Sequence, residues 1–226
     1  TWPARASRQE AGWEIRDSAG GGKRVSAVTL AQTELPDIDW VEARLSEQGQ
    51  EHLFMIRDGD EILDAALAAR GYEIIDPVTL YLCETAPLRP ASLPRAQSYC
   101  IWEPLHIMRE IWAAGGIRDR RIALMHRVQT PKTALLARSG DSPAGVGFLA
   151  LDGEIAMLHA VEVLPEFRRT GVAKKLMAEA AKWAEDHGAK YMALMTTRDN
   201  QAANRLYSSL GMRPVGHYHY RIKDTT

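Results

Sequence analysis

IAMLHAVEVLPEFRRTGVAKKL, residues 155–176, reads as a buried strand, a short loop dense in positive charge, and the first turns of a helix. The apolar run Ile155–Val163 is interrupted only by His159 and Glu162 and is closed by Pro165, as a strand would be. Val172, Leu176, Ala180, Trp183 and Ala184 then recur at helical spacing, with Gly188 as the stop. Arg168, Arg169, Thr170 and Gly171 lie between the two. A helix N-terminus offers unpaired N–H groups and a partial positive charge, and the arginines add to both. Gly171 lets a backbone come close to a guest. The stretch is therefore an anion site, and phosphate suits it.

Familiar phosphate loops do not fit. A P-loop needs Gly-Lys-Ser/Thr after an earlier glycine. The nearest approach, Gly20-Gly21-Gly22-Lys23-Arg24, lacks the hydroxyl residue and has Asp17 where the first glycine belongs. The dinucleotide fingerprint G-x-G-x-x-G is also missing around Gly171. What stands there is R-x-x-G-x-A, Arg168 to Ala173, after V-x-P-E-F. Further on, Asn200-Gln-Ala-Ala203-Asn204-Arg-Leu206-Tyr207-Ser-Ser-Leu210-Gly211-Met212 reads as a helix. Its face is Ala203, Leu206, Tyr207 and Leu210, Asn200 can cap it, and Gly211 ends it. Residues 191–195 before it read as a short buried strand.

Together these motifs resemble the GNAT N-acetyltransferase superfamily. Its members carry Q/R-x-x-G-x-G/A at this strand–helix junction and N-x-x-A-x-x-L-Y-x-x-x-G-F on the later helix; Met212 replaces the usual Phe. The resemblance implies an α/β fold with a mixed sheet and acetyl-CoA as cosubstrate. Acetyl-CoA would lie between the strands ending at Val163 and Met195, against Val161 and Val163. Its pyrophosphate would sit on the N–H groups of Arg169, Thr170, Gly171, Val172, Ala173 and Lys174, beside Arg168, with Asn200 and Asn204 nearby. Tyr207 takes the position of the general acid that protonates the thiolate. A phenol suits this because it keeps its proton at neutral pH; a core aromatic is the other reading. The oxyanion donor would be a backbone N–H of the strand between Val161 and Val163.

The base is open. His159 and Glu162 are the titratable residues of that strand. An imidazole suits proton abstraction near pH 7, and some members carry His at the position of His159. A lone His among apolar neighbours can equally be a hydrogen-bonded core residue, and the strand commonly bulges, which blurs the faces. Glu162 is the alternative, and a group elsewhere or bulk water is a third. His217 and His219 on the last strand have no Cys or carboxylate at ligand spacing beside them, so no metal is expected.

The chain has 226 residues, 46% hydrophobic and 25% charged, with formal net charge −1. That supports one large or two small cores and gives no support to nucleic acid or anionic membrane as partner. Cys83 and Cys100 lie in separate apolar runs, which favours buried thiols in a reducing compartment over a disulfide. No run is long enough to span a bilayer and no signal peptide is evident, so a cytoplasmic protein is expected.

Residues 1–85 form a first block. Residues 12–30 read as strand–turn–strand with the turn at Gly20-Gly21-Gly22. A helix follows at 38–48, a strand at 52–56, a helix at 61–70 stopped by Gly71, and a strand at 79–83. Laying Gly71 on Gly211 sets Asp60 on Asn200, Leu63 on Ala203, Ala66 on Leu206 and Leu67 on Tyr207. The apolar pattern is kept, so the block reads as a degenerate half-repeat of the later domain. Chance likeness of two strand–helix–strand units is the competing reading. With Leu67 for the phenol and no counterpart of RRTGVA, this copy is not expected to bind CoA. It would have a structural or acceptor-side role.

A linker, 86–96, carries Pro87, Pro90 and Pro94. Residues 97–226 then suffice for a whole catalytic domain. Its expected elements are a strand at 98–102, helices at 104–113 and 118–128 joined at Gly115-Gly116, and a hairpin of 132–138 and 144–151 turning at 140–143. By the resemblance, 112–120 is a candidate acceptor contact, although Arg118, Arg120 and Arg121 also fit a solvated helix start. The expected activity is acetyl transfer to a primary amine of a small molecule or peptide by direct attack in a ternary complex. A monomer is slightly favoured over a homodimer. A non-catalytic CoA-binding or regulatory module, or an acyltransferase using a longer acyl-CoA, are the alternatives.

Overall fold

The computed structural model describes residues 1–88 and 97–223. Most of the Pro-rich stretch, 89–96, therefore lies outside the described residues. The chain divides into two compact units. One comprises Thr1–Trp2, Leu80–Met195 and Ala202–Arg213; the other comprises Pro3–Thr79, Thr196–Gln201 and Pro214–Thr226.

The unit containing Pro3–Thr79 begins with a hairpin of β1 (Ala6–Glu10) and β2 (Trp13–Asp17), which short β3 (Thr29–Leu30) extends. β1 and β2 reverse at Ala11 and Gly12, with φ of 48° and 82°, and β2 and β3, which are antiparallel, reverse between Asp17 and Thr29, where Gly20 and Gly22 are left-handed at φ 79° and 100°. The expected strand–turn–strand at 12–30 is therefore present, with the glycines leading into a 3-10 turn at Lys23–Val25. Along β2, Trp13 and Ile15 point into the core while Glu14 and Arg16 point out. Next come α1 (Ile38–Glu47), β4 (His52–Arg57) and α2 (Glu61–Ala69). Asp37 caps α1 by accepting from the N–H groups of Asp39 and Trp40. β5 (Glu73–Glu84) starts well before the expected 79–83 and carries its last residues into the other unit. β11 (Arg213–Lys223) pairs antiparallel with β4. Phe54 centres this core, meeting Trp13 and Tyr72 edge-on at 5.6 Å and 5.4 Å.

The unit containing Leu80–Met195 holds β6 (Ser98–Ile101), α3 (His106–Ala114), α4 (Asp119–Arg127), β7 (Lys132–Ser139) and β8 (Ser142–Asp152). β9 (Ile155–Val163), α5 (Val172–Asp186), β10 (Tyr191–Thr197) and α6 (Gln201–Ser209) follow. The ladder runs β6-β7-β8-β9 antiparallel, with β10 added parallel to β9. A parallel pair needs a crossover, and α5 supplies it. The sheet is mixed for that reason. The turn between β7 and β8 is tighter than 140–143, because Pro143 already pairs with Arg138.

The helices cover opposite faces of this sheet. Val172, Leu176, Met177, Ala180, Ala181 and Ala184 of α5 pack with Leu158, Leu194 and Tyr207. Met108, Ile111 and Trp112 of α3 and Ile122 and Met125 of α4 pack with Val146 and Phe148 on the other side. Gly188, at φ 86°, closes α5, with Ala189 N–H reaching back to Ala184 O at 2.9 Å.

α2 and α6 end alike. Gly71 (φ 83°) donates to Ala68 O at 3.0 Å and Tyr72 to Leu67 O at 3.1 Å. Gly211 (φ 81°) donates to Ser208 O at 3.1 Å and Met212 to Tyr207 O at 3.1 Å. Each helix thus closes with the same left-handed glycine motif before its strand.

Candidate active site

The face on which each residue of β9 lies is decided by one extra residue. Phe148 pairs with His159 and Val146 with Glu162, so two steps on β8 oppose three on β9. Ala160, at φ 51°, is the bulged position. Strict alternation would send His159 and Glu162 to opposite faces. The bulge puts both on the side of α3 and α4. Val161 and Val163 instead pack toward the α5 cluster. The bulged backbone is held by Trp112, whose indole N–H donates to Ala160 O at 2.7 Å.

His159 is 6% exposed. Trp2 stacks on its ring at 4.8 Å and 26°, and its Nε2 lies 3.1 Å from Thr1 Oγ1. Glu162 is more open. Its Oε1 accepts from an Arg168 Nη at 3.3 Å, and its carboxylate lies against Gly115 of the α3–α4 loop.

Arg168 opens the loop after β9. A 3-10 turn, Pro165–Phe167, precedes it, and its Nε donates to Val163 O at 3.1 Å. Arg169 and Gly171 are both left-handed, at φ 66° and 89°. Thr170 Oγ1 donates to Phe167 O at 2.7 Å. Gly171 begins α5 without a side-chain cap, and the first turn of the helix has no acidic residue. The helical ladder starts with Lys175 N–H to Gly171 O at 3.1 Å, which leaves the N–H groups of Val172, Ala173 and Lys174 without intrahelical acceptors. A Cβ on Gly171 would have no heavy atom within 4 Å. The space beside it is open. These residues fit an anionic guest such as a pyrophosphate.

Tyr207 projects from α6 into the α5-side cluster and is 7% exposed. Burial pushes its phenol up to about 12, so it holds its proton far above neutrality. Tyr81 of β5 tilts against it at 5.9 Å and donates its hydroxyl to Asn204 Oδ1 at 2.9 Å. Asn200 lies in the other unit, at the start of α6, with its N–H on Thr197 O at 3.1 Å.

Sequence reasoning missed Tyr81 and Trp2, and although Trp112 and Gly115 lie in the expected acceptor stretch 112–120, their contacts with Ala160 and Glu162 were not foreseen. None sits in a motif, and each reaches the site from a distant part of the chain. His219 Nε2 lies 2.9 Å from Asp64 Oδ1, which also accepts from Arg221 Nε at 2.7 Å. The fold thus brings His219 a carboxylate that local spacing does not reveal. Even so, among the described residues no group of three or more His, Cys, Asp or Glu could hold a metal ion. Among them, too, no helix is long and apolar enough to cross a membrane.

Comparison with known proteins agrees with this architecture. The family model described as Acetyltransferase (GNAT) family matches residues 100–212. An uncharacterized N-acetyltransferase of Bacillus subtilis (strain 168), YobR, is 27% identical over 234 residues, covering 99% of this chain and 94% of that protein. An aminoglycoside N(6′)-acetyltransferase type 1 of Salmonella typhimurium is 35% identical over 57 residues, 25% of this chain and 39% of that protein. Among solved structures, a GCN5-related N-acetyltransferase from Kribbella flavida aligns with TM-score 0.74 at 17% identity, over 99% of this chain and 91% of that one. A tandem GNAT protein from the clavulanic acid biosynthesis pathway aligns with TM-score 0.63 at 15% identity, over 93% and 77%. Likeness at such identities speaks to the fold. The family match extends over half of the sequence, and this chain belongs to the acetyltransferase (GNAT) family.

Proposed function

We propose that this protein transfers the acetyl group of acetyl-CoA to a primary amine of a small molecule or peptide, by direct attack while both substrates are bound. The observation that carries the reading is the uncapped start of α5, with left-handed Gly171 and Arg169 and no acidic residue in its first turn. Its free N–H groups suit the pyrophosphate, and the curated relatives named above are N-acetyltransferases.

The chemistry follows from the residues around β9. The amine nitrogen forms a bond to the thioester carbonyl carbon, and the carbonyl oxygen gains negative charge. We assign the donor for that oxygen to the backbone N–H of Val161, at the bulge of β9. As the C–S bond breaks, the sulfur takes the proton from Tyr207, which burial keeps protonated. We assign the amine's own proton to Glu162 in preference to His159. Trp2 and Thr1 cover the imidazole, whereas the carboxylate stands at the α3–α4 loop.

We also read β4–α2–β5 as a half-repeat of β10–α6–β11, on the strength of the matched helix endings. Leu67, fully buried at the position of Tyr207, leaves it without an acid. Its role is then structural. The 1–85, 86–96 and 97–226 division of the chain follows from the same reading.

Calorimetric titration with acetyl-CoA, followed by mass analysis of an amine panel incubated with enzyme and acetyl-CoA, tests the function. Binding with an acetylated amine supports it. Binding without any product favours a regulatory module, product only with a longer acyl-CoA shifts the donor, and no binding removes the reading.

A further inference from the structure

The α3–α4 loop, within the stretch 112–120, touches β9 at Glu162. A Cβ on Gly115 would fall 2.3 Å from Glu162 Oε2 and 2.4 Å from its Cδ. The carboxylate therefore lies directly against the glycine Cα. Gly115 has φ −85° and ψ 9°, which any residue adopts, so the backbone does not require glycine here. The neighbouring Gly116 differs: its φ is 79°, and nothing lies within 4 Å of a Cβ built on it. Of the pair, one glycine serves the turn and the other makes room for a carboxylate.

On its far side Glu162 meets Arg168, whose guanidinium also donates to Val163 O at 3.1 Å. Arg168 is the first residue of the anion loop, and its side chain is 58% exposed against 20% for Glu162. Arg168 thus holds a carboxylate that lies against the α3–α4 loop and is itself a residue of the loop proposed to take pyrophosphate. We propose that Gly115 is a positioning residue: its missing side chain lets the Glu162 carboxylate reach Arg168, so that carboxylate and bound pyrophosphate share one guanidinium. The inference rests on the pyrophosphate and Glu162 readings given above. Two anions sharing one cation compete for it. Pyrophosphate binding draws Arg168 away and leaves Glu162 unpaired for the ammonium of the acceptor, and the two effects are reciprocal.

Moving the carboxylate or removing its charge must therefore tighten the anion loop. Desulfo-CoA, a CoA analogue without the thiol, is titrated calorimetrically into wild type, Gly115→Ala, Glu162→Gln and the double variant, with melting temperatures measured alongside. Both single variants should bind about two- to fivefold more tightly, the range of an exposed ion pair, with melting temperature unchanged. The double variant should bind no more tightly than Glu162→Gln alone, because the same contact is already gone. In Gly115→Ala/Glu162→Asp the shorter acid fits beneath the new methyl and should return affinity toward wild type. Damage to packing would weaken binding, not strengthen it. Wild-type affinity in Gly115→Ala, or additive effects in the double variant, would overturn the inference while leaving the CoA reading intact. Failure of wild type to bind would overturn both.

Discussion

Trp112 Nε1 donates to the carbonyl oxygen of Ala160 at 2.7 Å, and this bond ties α3 to the bulge of β9. The indole is fully buried, and Ala160 holds a left-handed φ of 51° that an alanine adopts only at a cost. The bulge sets which residues face α3 and α4, so the bond belongs to the site as well as to the core. Trp112→Phe keeps a ring in place but removes the donor. We expect a loss of about 1–3 kcal/mol in urea denaturation, the cost of a buried carbonyl left unpaired. Turnover should fall further than stability does, because Val161 N–H loses its fixed position.

Gly171 separates backbone strain from crowding. A Cβ there meets nothing within 4 Å, yet φ is 89°. Gly171→Ala should cost about 1–2 kcal/mol through the left-handed backbone alone, and Gly171→Asn less, since Asn visits that region more readily. Calorimetry should record weakened CoA binding in the same order. Equal binding by all three proteins would mean that the loop is not the pyrophosphate site.

Burial raises the Tyr207 phenol from 10.0 to about 12. The folded state thus holds this proton more tightly than the unfolded chain. The associated stability is fully present below pH 10.0 and is lost as pH rises toward about 12. Half-buried Cys83 and Cys100, raised from 9.0 to about 11 and about 12, act in the same direction. Melting temperature should therefore fall between pH 9 and 12 in wild type, and fall less steeply in Tyr207→Phe. Parallel slopes would show the phenol to be more solvated than the fold makes it.

What the sequence made legible was local. Ile155–Val163 emerges as a strand with the bounds its apolar run implies, and α5 and α6 occupy their periodic stretches. Charge density and Gly171 mark the anion loop without any tertiary information. The faces of His159 and Glu162 were not legible, because a bulge is a relation between two strands and depends on the partner's register. Nor was the cover on His159, since Thr1 and Trp2 meet it only through the fold. Gly115 and Gly116 look alike as letters; only the neighbouring carboxylate distinguishes them. The glycines at 20–22 did mark the reversal between β2 and β3, whereas β1 and its turn at Ala11 and Gly12 carried no signal that the sequence reading used.

The central claim, amine acetylation from acetyl-CoA with Tyr207 as the acid, is tested most directly by thiol release. Free CoA is measured across a panel of small amines and peptides, with wild type beside Tyr207→Phe. The account predicts turnover with one class of amine, and in the variant a kcat lower by about 10²–10⁴ with CoA affinity retained. Equal kcat in the two proteins would remove Tyr207 from the chemistry, and no thiol release with any amine, despite CoA binding, would contradict the enzyme itself.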